Sequence, residues 1–116
     1  MEFTYKAAEA YGLLSFAGRM SAVNFPHDIE DALTKSIDDG KANFILDLDK
    51  VEFVDSSGLS TLLTILTKSR NAGGEAILIN IPENLSNLLI ITKLNSIFTV
   101  KETMAEAEET FLIAKT

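Results

Sequence analysis

Asp55-Ser56-Ser57-Gly58 concentrates hydroxyls, a carboxylate and a glycine in four consecutive positions. Phe53-Val54 before it reads as strand, while Leu59, Leu62, Leu63 and Leu66 behind it keep helical spacing until Gly73-Gly74 breaks the pattern. The four residues therefore stand where a strand turns into a helix. Asp and Ser oxygens accept hydrogen bonds from the free amides of a first helical turn, so Asp55 or Ser57 serves as cap and Gly58 admits close approach of chains. The same placement suits a second chemistry. A phosphoryl group on a serine here would face free amides and the positive end of the helix dipole. It would add about −1.5 to −2 charge beside Asp55, and a partner surface packed over the loop would have to desolvate that anion or be repelled by it. A capping motif and a binding switch both fit.

Other chemistries lack their parts. A serine hydrolase elbow needs G-x-S-x-G, whereas residues 54–58 read Val-Asp-Ser-Ser-Gly, and the single histidine, His27, falls in the first turn of another helix as solvated surface. Use of Ser56 as a nucleophile would show as labelling by a serine-reactive probe. Asp47 and Asp49 begin like a calcium loop, but Val51 and Glu52 stand where an oxygen ligand and Gly are required. No metal is expected. With no G-x-x-x-x-G-K-[ST], and Gly73-Gly74 acting as helix stop and turn, no nucleotide cradle is expected either, and the cofactor expectation is none. The leucine stripe reads as core, with Leu59 at the exposed helix start as the one position free to dock a partner. Glu102, Glu106, Glu108 and Glu109 read as a solvated helix face, Glu106 completing a capping box with Thr103.

The elements that position the motif follow from periodicity. Residues 3–6 alternate, and residues 11–17 form a second strand closed by Gly18, giving an opening hairpin. Phe25, Ile29, Leu33 and Ile37 recur every four residues, with Pro26 at the first helical position and Gly40 past the end. Residues 44–48 form a central strand, residues 49–52 a loop, and residues 53–54 a strand end. Residues 76–79 are a buried strand, and Pro82 opens a helix carrying Leu85, Leu88 and Leu89. Residues 97–100 are a last strand before a helix with Met104, Ala107, Phe111 and Leu112 on one face. The order ββαβαβαβα predicts one α/β domain over residues 1–116, a mixed sheet of about five strands with four helices packed on it. Loops 18–24, 53–59 and 80–83 lie at carboxyl ends of strands, where ligands and partners of such sheets meet the fold.

Val54-Asp55-Ser56-Ser57-Gly58-Leu59 after Ile45-Leu46-Asp47-Leu48 resembles the signature of the STAS domain of bacterial anti-sigma factor antagonists. Gly18 after an early strand, the Gly73-Gly74-Glu75 turn, and Ile81-Pro82 followed by Leu88-Leu89 and Lys93-Leu94 extend the resemblance over most of the chain. It implies that the serine after Asp55, Ser56, is phosphorylated by a partner that is both serine kinase and anti-sigma factor. The unphosphorylated form binds that kinase, the phosphorylated form does not, and a phosphoserine phosphatase restores binding. Asp55, Ser57, Gly58 and Leu59, with Gly18, Arg19, Met20 and Ser21, would form the partner surface, and the chain would be no enzyme. The loop at Gly18 departs from the family, where an acidic pair in the manner of Gly-Glu-Leu-Asp is common; Gly18-Arg19-Met20-Ser21 replaces the acidic contact with a basic one. The alternative is a constitutive subunit of a transporter or larger signalling assembly, its serines only capping the helix.

Composition bounds the partners. The 116 residues carry a net charge of −7, the wrong sign for phosphate-neutralising nucleic-acid binding. There is no Cys, hence no disulfide framework, and no apolar run approaches the roughly 18 residues of a membrane helix. The expectation is a cytoplasmic protein without direct membrane insertion. Phe3, Tyr5, Tyr11 and Phe16 near a sheet edge leave a monomer and a weak dimer both open.

Overall fold

Phe44-Ile45-Leu46 and Ala76–Ile79 are buried throughout, which is possible only for strands covered on both faces. The computed structural model describes residues 2–21 and 27–114, with the side chains of 112–114 left aside. Its elements are β1 (Glu2–Ala7), β2 (Gly12–Met20), α1 (His27–Asp38), β3 (Phe44–Val54), α2 (Ser56–Asn71), β4 (Ala76–Ile79), α3 (Glu83–Ile91), a 3-10 turn (Leu94–Ser96), β5 (Thr99–Lys101) and α4 (Met104–Ala114). The strands lie side by side in chain order, β1 antiparallel to β2 and all later pairs parallel. This is the α/β architecture expected, a five-strand mixed sheet with four helices.

Sequential strand order has a geometric consequence. Right-handed crossovers that always step the same way put α1, α2 and α3 on one face of the sheet. There Leu14, Phe16, Leu46, Leu48 and Leu78 meet Ile29, Leu33, Leu62, Ile65, Leu66, Leu85 and Leu89 in the larger core. The second face receives only α4, whose Ala107 and Phe111 cover Ile45, Ile77 and Ile79. Tyr11 stacks on Phe111 at 6.0 Å, and its hydroxyl pKa is raised by burial and by Glu108. Beyond α4 this face is open and polar: Glu2, Thr4, Ser15, Asp47, Asp49 and Lys50 line a shallow groove of about 430 Å³.

Several local expectations are corrected. Residues 49–52 are not a loop but the second half of β3, which runs unbroken to Val54. They read as loop because β4 stops pairing at Asp47, leaving this half with β2 alone and one wet face: Val51 is buried while Lys50 and Glu52 are exposed. Two register shifts against β2, each with an extra residue on β3, blur the alternation further. Gly18 does not close β2 either; it lies within the strand at φ +85°, opposite Val51, and Met20 ends it. The last strand starts at Thr99, because the Ile97 and Phe98 amides donate to the Leu94 carbonyl of the 3-10 turn and not to a neighbouring strand. Phe25, Pro26 and residues 22–24 fall outside the described residues, and so does the side chain of Leu112. Thr103 and Glu106 form the capping pair, with the Glu106 amide donating to Thr103 Oγ1 at 3.2 Å.

The core makes a direct prediction. Leu46→Ala, at a fully buried position of the central strand, is expected to lower unfolding free energy by about 2–5 kcal/mol in urea, whereas Lys50→Ala on the wet half should stay within about 0.5 kcal/mol.

Candidate functional site

The site is built where β2 and β3 end together. Met20 pairs with Val54 in the last rung, and the Met20 carbonyl then accepts from the Asp55 amide at 3.2 Å. The chain turns immediately into α2. Asp55 is the N-cap, in extended conformation, and its Oδ1 accepts from the Gly58 amide at 2.9 Å. Of the two capping candidates, the aspartate takes the role. Its second oxygen, Oδ2, accepts from the hydroxyl of Ser21, one residue beyond β2. One carboxylate thus ties the start of α2 to the loop after β2.

Gly58 explains how the two segments come so close. A Cβ on this residue would run into the Met20 carbonyl, a backbone group that cannot swing aside. Glycine is therefore required by contact, not by a left-handed conformation. Loop 80–83 joins the same end through a residue that sequence reading missed. Asn84, in the first turn of α3, donates to the Val54 carbonyl at 2.6 Å and accepts from the Val54 amide at 3.1 Å. Its amide extends the sheet by one rung after β4 has stopped. A pairing thirty residues apart leaves no periodic trace; the available signal was an amide side chain two residues after Pro82, where a strand end needs both a donor and an acceptor.

The expected partner residues divide by exposure. Arg19, Ser21 and Ser56 are exposed, and Gly18, Asp55 and Ser57 are half-buried. Met20, Gly58 and Leu59 are buried, Leu59 at 6% and Met20 at 0%, so the expectation of an exposed Leu59 is corrected: its side chain packs into the core with Leu62 and Val54. These three shape the site from beneath and offer no side chain to a partner. Arg19 and Phe53 are opposite each other in the β2–β3 ladder, and the guanidinium lies 4.7 Å from the Phe53 ring centroid, a cation–π contact that holds the charge at the rim. Among the described residues Arg19 has no salt-bridge partner.

Ser56 is the first residue of α2 and is exposed on its leading turn. Its carbonyl accepts from Ser60 Oγ at 3.1 Å, while its own hydroxyl has no hydrogen-bond partner among the described residues. It is open to solvent. The Asp55 carboxyl is held below its ordinary pKa, first by the Ser21 hydroxyl, then by the Gly58 and Ser57 amides and the Arg19 charge. At neutral pH the position beside Ser56 is therefore an anion. Asp47 is already engaged, its Oδ1 accepting from the Asp49 amide at 3.0 Å and from Asn80 Nδ2 at 3.1 Å, and no metal-holding cluster occurs among the described residues.

Two predictions come from this geometry. Gly58→Ala should destabilise by about 1–3 kcal/mol or more through overpacking against Met20, read as a lowered urea midpoint. Because the folded-state pKa of Asp55 is depressed, its contribution is complete above the unfolded value near 3.8 and is lost as pH falls through the lower folded value. Ser21→Ala should move the Asp55 carboxyl pKa upward toward 3.8 in a carbon-13 NMR titration, with Ser21→Thr keeping it low.

Comparison with known proteins places this geometry. The STAS domain family matches residues 4–107. BtrV of Bordetella bronchiseptica, whose name assigns it provisionally to the anti-sigma factor antagonists, is 24% identical over 114 residues, covering 98% of this chain and 97% of its own. The Bacillus protein SpoIIAA, an anti-sigma factor antagonist, is similar in both its unphosphorylated and phosphorylated structures. They are 15% and 18% identical with TM-scores of 0.70 and 0.71, cover 94% of this chain, and are themselves covered over 96% and 98%. Part of the murine Solute Carrier 26 family member A9 anion transporter is also similar, at 17% identity and TM-score 0.75, covering 93% of this chain but 18% of the transporter. At these identities the solved structures speak for the fold, and the family match extends over most of the length. This chain belongs to the STAS domain family.

Proposed function

We propose that this protein is an anti-sigma factor antagonist working as a phosphorylation-controlled partner switch. The observation that carries the reading is the exposed, unengaged hydroxyl of Ser56 on the first turn of α2, directly after the Asp55 cap. Unphosphorylated, the chain binds a serine-kinase anti-sigma factor through Ser56, Ser57, Arg19 and Ser21, over a floor of Met20, Gly58 and Leu59. The kinase transfers the γ-phosphoryl group of ATP to Ser56 Oγ, releasing ADP and the hydroxyl proton. The new dianion is tolerated by the fold, because the helix dipole and first-turn amides face it, but it stands next to the ionised Asp55. Two adjacent anions at the centre of a buried interface oppose rebinding, and a phosphoserine phosphatase restores the competent state.

In this scheme the chain is substrate and switch, not catalyst, and both partners place it in the cytoplasm. SpoIIAA, similar in fold, exists in a phosphorylated form, which supports the reading by likeness. The transporter similarity supports the second reading, a constitutive STAS subunit in which Ser56 has no signalling role.

A capture experiment separates the two. Wild type, Ser56→Ala and Ser56→Asp serve as baits in lysate of the native organism with ATP, followed by mass spectrometry of bait and prey. The switch predicts a kinase held by wild type and Ser56→Ala, phosphate on Ser56 of wild type, and binding by Ser56→Asp weakened on the order of 100-fold, about 3 kcal/mol. Retention of the same assembly by all three baits without phosphate on Ser56 establishes the constitutive reading.

A further inference from the structure

β1 forms one edge of the sheet, and among the described residues its only strand partner is β2. The pairing with β2 runs from Glu2 to Ala7 without a register shift, and the strand contains no proline, so neither a bulge nor a proline protects this edge. Which backbone groups face outward follows from the turn. The Ala8 amide donates to the Tyr11 carbonyl at 2.9 Å, whereas the Gly12 amide points the other way, to the Asn43 carbonyl at 2.9 Å. Ala7, opposite Gly12, is therefore on a rung without hydrogen bonds to β2, and alternation carries that phase along the ladder. Glu2, Thr4 and Lys6 bond to β2, while Phe3, Tyr5 and Ala7 turn their amides and carbonyls to the open edge.

The side chains on this edge match a copy of themselves. Phe3 and Tyr5 are half-buried on the face of the larger core, the Phe3 ring 6.2 Å from that of Phe16, and Glu2, Thr4 and Lys6 are exposed on the other face. An antiparallel neighbour must use the outward groups, so a second β1 pairs odd-numbered residues with odd-numbered ones. About a twofold axis, the register centred on Thr4 sets Phe3 opposite Tyr5 of the second copy and Glu2 opposite its Lys6, each twice. Phe3 and Tyr5 then share the hydrogen-bonded rungs. Glu2 and Lys6 share the rungs between, where side chains approach closest. Registers centred on Phe3 or Tyr5 obey the same phase but leave both charges without an opposite charge. Within one copy neither Glu2 nor Lys6 forms a salt bridge among the described residues.

We infer that β1 is a self-pairing edge, through which two copies of this chain join into a dimer with one continuous sheet, five strands from each copy. The contact is locally neutral, since β1 contains one Glu and one Lys in a chain of net charge −7. Repulsion between the other charges of the two copies is screened beyond about 8 Å at physiological salt. The dimer carries two Ser56 surfaces, but its formation rests on β1 and is independent of the partner-switch reading.

Sedimentation equilibrium of the full chain in about 0.15 M salt, up to about 1 mM protein, reads the mass. Expected is a monomer that becomes a dimer as concentration rises. Over the same range the Phe3 and Tyr5 amides should slow in hydrogen exchange, while those of Thr4 and Lys6 are protected throughout. Glu2→Lys and Lys6→Glu each set like charges opposite one another and should weaken the dimer about tenfold or more. Mixing the two variants, or combining both changes in one chain, brings opposite charges together again and should restore it. Circular dichroism of the variants should match wild type, since both side chains are exposed. A monomer at about 1 mM overturns the proposal. So does a dimer whose Phe3 and Tyr5 amides exchange as in the monomer, one that neither single change weakens, or one that the paired changes fail to restore.

Discussion

The contact between the Met20 carbonyl and the start of α2 is the constraint on which the site depends. That carbonyl accepts from the Asp55 amide and simultaneously abuts Gly58, so the end of β2 and the first turn of α2 touch through backbone. No side chain can intervene, and the cap must come from a short residue already in place. Asp55 supplies it with one oxygen and holds Ser21 with the other. The result is a helix start whose direction is set by a strand it does not follow in sequence. Ser56 stands exposed between Asp55 and Gly58, which are both committed to that junction.

Much of the sheet serves to deliver β3 to this point. Its first half is dry and paired on both sides, and its second half has only β2 for company. Two extra residues on β3 bend the strand, and Gly18 in β2 takes the left-handed conformation that the mismatch demands. Asn84 then satisfies both backbone groups of Val54 where β4 has ended. Asn84 thus meets two otherwise unpaired polar groups near the site, whose floor is buried while its rim stays wet.

The electrostatics follow from the same arrangement. An N-terminal helix turn is one of the few places where an acidic protein can accept another anion without unfolding, because amides and dipole face it. Asp55 occupies part of that capacity, and its carboxyl is ionised at neutral pH. A phosphoryl group at Ser56, as the proposed switch requires, would thus be compatible with the fold and unfavourable for an interface. Arg19, fixed over Phe53, sets one positive charge at the rim of an otherwise acidic molecule.

The helices, the buried strands and the strand-to-helix position of Asp55-Ser56-Ser57-Gly58 were legible in the residues alone, because apolar period and capping chemistry are local properties. So was the family likeness, which rests on contiguous motifs. The second half of β3 was not, since a strand with one wet face and two bulges loses its alternation and shows Asp and Lys where a loop would. Gly18 looked like a terminator, because the need for positive φ is the same in a turn and in a bulge. The burial of Leu59, the choice of Asp55 over Ser57 as cap, the Ser21 clasp and the role of Asn84 belong to the tertiary structure. The Ser21 clasp and the Asn84 bonds join segments thirty or more residues apart at one end of the sheet, and hydrogen bonds of that kind have no counterpart in local sequence.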